Sequence, residues 1–322
     1  MSFAYLVYAS AWLKRYHPAA FCAALLNAQP MGFYSPQSLV DDARRHGVTV
    51  LRPDINISAA KAILHTTPAT RLKAEPDEPP HRWGLGGPQV RLGLSAVRSI
   101  GNDLAQRIET ERGAHGPYRD MADLARRVGL STTHLEALAT ADTFASFGLT
   151  RRQALWAAGA AAQERDNRLP GTATGIHAPT LPGMDALDEL TADVWATGLS
   201  PDAHPVQFAR DHLTRLGALP ITALSDVEDK TRVLVGGIVT HRQRPATARG
   251  VTFINLEDET GMLNVTCSPG LWVKFGRTAR SSPALLVRGV LQRADGVINL
   301  NADKLSPLTA IRVRPNHSRD FR

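Results

Sequence analysis

Hydrophobic positions in the first part of the chain recur at helical spacing. Leu6, Ala9, Leu13 and Tyr16 mark one helix face within 3–29. Pro18 suits the first turn of a second helix, which carries Phe21, Ala24 and Leu25. A third helix follows Ser35-Pro36, with Leu39, Val40 and Ala43 inward, Asp41, Asp42, Arg44 and Arg45 on the wet face, and Gly47 as its stop. VTVLRPDIN, residues 48–56, alternates like a short strand. Residues 66–83 crowd Thr, Pro, Glu and Asp together, which is loop composition, and 91–160 return to helical patterning with short turns. Near residue 231 the period shortens. Five β-rich runs, 232–242, 250–257, 262–268, 284–293 and 296–303, are separated by Gly, Asp and Pro. GLWVKFGRTAR lies as a helix between the third and fourth runs, and that order is the order of an OB-fold barrel.

The pattern predicts an α+β multidomain chain in which helical regions precede a five-stranded OB-fold β-barrel. Its expected parts are a helical segment at 1–65, a helix-hairpin-helix region at 84–160 and a Pro- and Gly-rich linker at 161–185. A helical connector at 186–225, the barrel at 226–310 and a loose basic tail at 311–322 complete it.

Two stretches carry candidate chemistry. In LSAVRSIGNDLAQRIETER, residues 94–112, the apolar run ends at Ile100, Gly101 turns the chain, and a second helix begins with Leu104, Ala105 and Ile108; Ile100, Gly101 and Asn102 at the turn are candidate contacts. The free N–H groups and positive dipole end of that second helix suit a phosphate, with Arg107 and Arg112 adding charge. A plain helical hairpin has the same pattern. A degenerate second hairpin, or core helices, follows in 130–155, turning near Ala141 and Asp142. In the barrel, Arg242, Arg244 and Arg249 share the first hairpin, HRQRPATARG, and Phe253 and Asn255 lie on the second strand. With Lys274 on the helix, they are the candidates for a single-strand groove of cations and aromatic platforms. Trp272 and Phe275, three apart, are expected to place one ring in the barrel as a plug.

The rest is expected to be structural. Asp41-Asp42, Asp77-Glu78 and Glu257-Asp258-Glu259 read as a helix's wet face, a loop and a turn before Gly261. None supplies the facing carboxylates of two-metal phosphoryl transfer. Asp202-Ala203-His204 reads as a turn with a capping Asp, because no third ligand is close in sequence. No catalytic residue, metal or cofactor is assigned.

Composition sharpens this reading. The chain has 322 residues, 43% hydrophobic and 21% charged, with net charge +7. Its pI of about 9.8 favours a polyanionic partner, nucleic acid first. Its two cysteines, Cys22 and Cys267, make neither a disulfide scaffold nor a four-cysteine zinc site, and read as buried thiols of a reducing cytoplasm. No apolar run reaches the roughly 20 residues that span a bilayer. Lys14 and Arg15 follow the first apolar stretch, the reverse of a secretory signal.

Several segments resemble one family. SFAYLVYASAWLKRYHPAAFCAALLNAQPMGFYSPQSLVDDARRHGVTVLRPDIN resembles the distal fingers of the bacterial C-family DNA polymerases, closest to their error-prone branch. GLSAVRSIGNDLAQRIETERGAHGPYRDMADLARR is similar to that family's helix-hairpin-helix region. LPGTATGIHAPTLPGM and WATGLSPDAHPVQFARDHL are similar to its linker. VLVGGIVTHRQRPATARGVTFINLEDETGMLNVTCSPGLWVKF resembles its OB domain, and SRDFR its tail. The resemblance begins within the fingers, so it implies no counterpart of the PHP, palm or thumb regions and no catalytic aspartate. It implies DNA binding in translesion synthesis and repair, single-stranded template and primer–template duplex as ligands, and a palm-bearing chain or accessory translesion proteins as partners. A free-standing single-strand-binding or adaptor protein is the alternative. An OB-type tRNA-binding module or a small-molecule enzyme has less support.

Overall fold

The structure, a computed structural model, describes residues 3–32, 34–164, 169, 175, 178–294, 296–311 and the backbone of 319–321. Most of the expected linker between 165 and 177 and of the tail at 312–318 lies outside the described residues. The helices are α1 (Phe3–Tyr16), α2 (Pro18–Asn27), α3 (Pro36–Arg45), α4 (Gly101–His115), α5 (Met121–Val128), α6 (Thr132–Thr140), α7 (Arg151–Ala161), α8 (Ala186–Thr197), α9 (Arg210–Arg215) and α10 (Pro269–Ser281). The strands are β1 (Val50–Leu51), β2 (Ile63–His65), β3 (Gln89–Arg91), β4 (Arg232–Gln243), β5 (Thr252–Glu257), β6 (Met262–Cys267), β7 (Ala284–Ala294), β8 (Val297–Pro307) and β9 (Arg319–Phe321). Two compact units form: residues 1–29 with 43–202, and residues 30–42 with 203–322.

In the first unit, β3 is the middle strand of a three-stranded sheet, parallel to β1 and antiparallel to β2. Strands this short leave no readable alternation; of the run expected at 48–56, only Val50–Leu51 is strand. The main core joins Leu94, Ile100, Ile108, Leu124, Leu135, Leu138 and Phe144, all almost fully buried. Local chemistry sets the helix ends. Asp120 caps α5 by accepting from the Asp123 N–H, left-handed Gly129 ends it, and capping boxes at Ser131/His134 and Thr150/Gln153 start α6 and α7. Asp193 of α8 is buried, and it accepts from Arg52 Nε at 3.1 Å, Arg151 at 2.5 Å and Ser200 Oγ at 2.9 Å. Two guanidinium groups and a hydroxyl thus offset the desolvation of one carboxylate. The Tyr118 hydroxyl donates to the Ile108 carbonyl at 2.9 Å, and burial pushes its pKa up to about 12.

Helix α1 buries no residue, and the stripe through Leu6 and Leu13 is solvent-exposed. Helix α2 buries Pro18, Ala19, Cys22 and Ala23. One expectation for this unit needs correction: the run 94–100 is a single 3-10 turn, Leu94–Ala96, followed by extended Val97, so the hairpin's first helix is vestigial.

In the second unit, the strands follow the order β5-β6-β8-β7-β4, and a further β4–β5 pairing closes a five-stranded barrel. Helix α10 lies between β6 and β7, started by Ser268, whose Oγ accepts from the Leu271 N–H. Alternation puts Val235, Ile254, Leu256, Val265, Leu285, Val287, Leu291 and Leu300 inside. The five expected strands and the helix are all present, the last strand running on to Pro307. Trp272 and Phe275 both pack part-buried against the barrel core, where one plug was expected. β7 and β8 slip register between Arg288 and Gly289, and a Cβ at Gly289 would lie 2.4 Å from the Asn301 carbonyl oxygen. Strand β9 pairs in parallel with β4.

Asp41, expected on a wet face, is 4% exposed, and Glu257 and Asp258 are 2% and 0% exposed. Asp258 does make the expected turn: it accepts from Thr260 N at 2.8 Å and Gly261 N at 2.9 Å, and additionally holds Arg210 and Ile221 N, each at 2.9 Å.

Candidate nucleic-acid interface

The turn into α4 is built from two left-handed residues, Ser99 at φ +66° and Gly101 at φ +51°, on either side of Ile100. Ile100 is 1% exposed and its N–H bonds to the Val97 carbonyl, so it anchors the turn in the core and presents nothing to a ligand. Gly101 and Asn102 are exposed, and no side chain caps the N-terminus of α4. Their N–H groups therefore head a 15-residue helix with its positive dipole end outward. Asp103 in the same turn subtracts from that field. Arg107 donates to the Val128 carbonyl at 2.6 Å from an otherwise exposed position. Arg112 clamps the Ile55 and Ser58 carbonyls at 2.6 and 2.7 Å; it braces the fold and is not a free cation. Sequence reasoning missed Arg98, which is exposed next to the turn with its guanidinium 5.0 Å from the Trp195 ring centre. Its only sequence signal was adjacency to the Gly turn.

The barrel separates the three hairpin arginines. Arg242 is 6% exposed; its guanidinium donates to the Ala279 carbonyl at 2.6 Å and the Ser282 carbonyl at 2.8 Å. Its expected place among the DNA contacts is therefore corrected: an inward-facing strand position makes it a brace between β4 and the end of α10. Arg244 and Arg249 are exposed, and Arg249 sits at φ +49°. Phe253 and Asn255 project from the outer side of β5, Phe253 at 37% exposure. Gln243 lies opposite Phe253 and His241 opposite Asn255. Lys274 is exposed on α10, 5.3 Å from the Phe275 ring centre.

Among the described residues, one cluster has the donor set of a metal site: Asp41, His204 and Glu257, all buried, with ligand atoms within 4.8 Å of one another. The other two members, Asp41 and Glu257, come from distant sequence, so the reading of Asp202-Ala203-His204 as isolated is corrected. Asp202 pairs with Arg52 at 2.5 Å, and the capping role falls to His204, whose Nδ1 accepts from the Val206 N–H at 3.2 Å. That bond uses the Nδ1 lone pair, which leaves the proton of the neutral ring on Nε2, the atom 3.9 Å from Asp41. A metal would have to displace that proton. Gln37 donates to Asp41 and Ser38 to Glu257, both at 2.8 Å, so the donor set fits a hydrogen-bonded polar junction better than a cation site.

A family described as a helix-hairpin-helix motif matches residues 47–154, and one described as an OB-fold nucleic acid binding domain matches 233–308. The whole chain is 55% identical to the error-prone DNA polymerase of Mycolicibacterium paratuberculosis and covers 28% of it. It is 54% identical to the error-prone DNA polymerase of Nocardia farcinica, 27% of which is covered. The chain thus spans a little more than a quarter of the length of these relatives. Among solved structures, asparaginyl-tRNA synthetase from Pyrococcus horikoshii matches 24% of this chain and 20% of its own at 20% identity, with a TM-score of 0.21. A score that low carries no argument.

Proposed function

We propose that this chain, homologous over its whole length to part of an error-prone DNA polymerase, is a non-catalytic DNA-gripping portion of such an enzyme. Its hairpin turn holds a backbone phosphate of primer–template duplex, and its barrel holds single-stranded template. In this reading it serves translesion synthesis and repair in the cytoplasm, alongside a palm-bearing polymerase chain and accessory proteins. The observation that carries the reading is the pairing of exposed Arg244 and Arg249 with the outward-facing Phe253 on an OB barrel. Cations take phosphates and an exposed ring takes a base, which is how single strands are held without sequence readout. The uncapped start of α4 supplies the duplex contact.

Anisotropy of labelled single-stranded and primer–template DNA tests this. Binding should weaken with salt by a log–log slope of roughly 0.7 to 0.9 per neutralised phosphate. Absence of binding at low salt would remove the reading.

A further inference from the structure

The outer surface of the barrel carries a row of neutral hydrogen-bonding side chains at one register level. His241 of β4 pairs with Asn255 of β5, Asn255 with Asn264 of β6, Asn264 with Asn299 of β8, and Asn299 with Gln292 of β7. Paired residues share a face, so five strands present this row together. None of the five side chains is buried, while the neighbouring level, Ile254, Val265, Leu300 and Leu291, is core. A second outward level holds Gln243, Phe253, Thr266 and Asn301. The Asn301 amide donates to Gln292 Oε1 at 3.0 Å, and the Asn255 amide to Asn264 Oδ1 at 3.2 Å.

This composition is unusual for a barrel exterior. Asn is depleted in strands, so three in register across adjacent strands run against propensity. Asn255 Oδ1 is buried without a hydrogen-bond partner, a cost with no return inside the fold. The two outward levels contain no Lys, Arg, Asp or Glu. Of the charged side chains of β7 and β8, Arg288, Asp303 and Lys304 sit on the far side of the Gly289 register slip, and Arg293, beside Gln292, donates to the Leu224 and Ser225 carbonyls.

We propose that this amide row reads nucleobase edges of single-stranded DNA, with Phe253 as the stacking plate and Arg244 and Arg249 taking the flanking phosphates. The inference rests on the DNA-binding reading above. A carboxamide offers a donor and an acceptor side by side, the pattern that complements a base edge. A phosphate-reading face would carry cations in the same places. The barrel then has two separable contributions: a salt-sensitive one from the arginines and a base-dependent, salt-insensitive one from the row.

The test uses the full chain with homopolymeric DNA oligonucleotides of equal length and one abasic oligonucleotide of the same backbone, read by anisotropy at two salt concentrations. The variant is Asn264→Ala with Asn299→Ala, whose half-exposed or exposed positions leave the core intact; a thermal melt confirms folding. Wild type should bind at least one homopolymer about tenfold more tightly than the abasic strand. The double variant should cut that ratio to the part that stacking on Phe253 supplies, lose the wild type's preference among homopolymers, and keep its salt slope. Equal wild-type affinity for abasic and base-bearing strands overturns the inference while leaving DNA binding standing. So does a folded double variant with the wild-type ratio. If no oligonucleotide binds wild type at low salt, both readings fall together.

Discussion

The three arginines of the β4–β5 hairpin should behave as two different kinds of residue. Arg244 and Arg249 are exposed, so replacing both by Ala removes two phosphate contacts and little else. At roughly 0.7 per phosphate for single strands, the log–log salt slope should fall by about 1.4. Over a fourfold rise in salt, that is a roughly sevenfold smaller loss of affinity. Thermal stability should stay within about 0.5 kcal/mol, since both side chains are exposed and the left-handed backbone at Arg249, φ +49°, strains Arg and Ala alike. Arg242→Ala should do the opposite. It strips the donors from the buried Ala279 and Ser282 carbonyls. Each orphaned carbonyl costs about 1–3 kcal/mol, so the variant should lose at least about 2 kcal/mol and melt well below wild type. Anisotropy against single-stranded DNA across a salt series, with thermal melts of both variants, gives all four numbers. An unchanged slope in the Arg244/Arg249 variant would refute the phosphate assignment. A wild-type melt for Arg242→Ala, with a flattened slope, would refute the separation of brace from contact.

Gly101→Val should keep the fold, because a Cβ there meets nothing within 4 Å, yet φ +51° costs a non-glycine residue about 1 kcal/mol or more, so the turn relaxes. Duplex affinity should drop; a folded variant with wild-type duplex affinity counts against the hairpin contact. Gly289→Ala should destabilise the barrel by roughly 1–3 kcal/mol, because its Cβ would meet the backbone oxygen of Asn301; an unshifted melt contradicts the close approach. Burial pushes the Cys267 thiol from the ordinary 9.0 up to about 12. The folded state keeps that proton where the unfolded chain loses it, so this contribution to stability is complete below about pH 9 and is lost as pH rises toward 12. Denaturant midpoints at neutral and alkaline pH check the sign. Both thiols, being buried, should react with a disulfide reagent only on unfolding.

The barrel was legible because its strands alternate over six or more residues, long enough for period two to show. The β1–β3–β2 sheet was not, because strands of two or three residues have no period, and tertiary pairing alone makes them strands. LSAVRSI looked helical from its apolar content, but left-handed Ser99 and extended Val97 break it, and neither residue type announces that. Asp41 and Glu257 looked solvent-facing because groups beside them are far away in sequence: His204 lies 3.9 Å from Asp41, and Ser38 reaches Glu257 across 219 positions. Arg242 looked like its hairpin neighbours for the same reason: inward or outward is a matter of register, which charge alone does not reveal. The amide row was invisible for a related cause. Asn255, Asn264 and Asn299 each read as an ordinary outward polar residue, and only strand register brings them to one level.

Hydrogen–deuterium exchange with and without primer–template DNA reports where the chain meets DNA. Slowed exchange is expected at the turn into α4 and along β5, β6 and the hairpin bearing Arg244 and Arg249, with the interiors of α5 to α7 unchanged. DNA that binds while leaving those segments unprotected, or protects only other surfaces, would contradict the proposed grip.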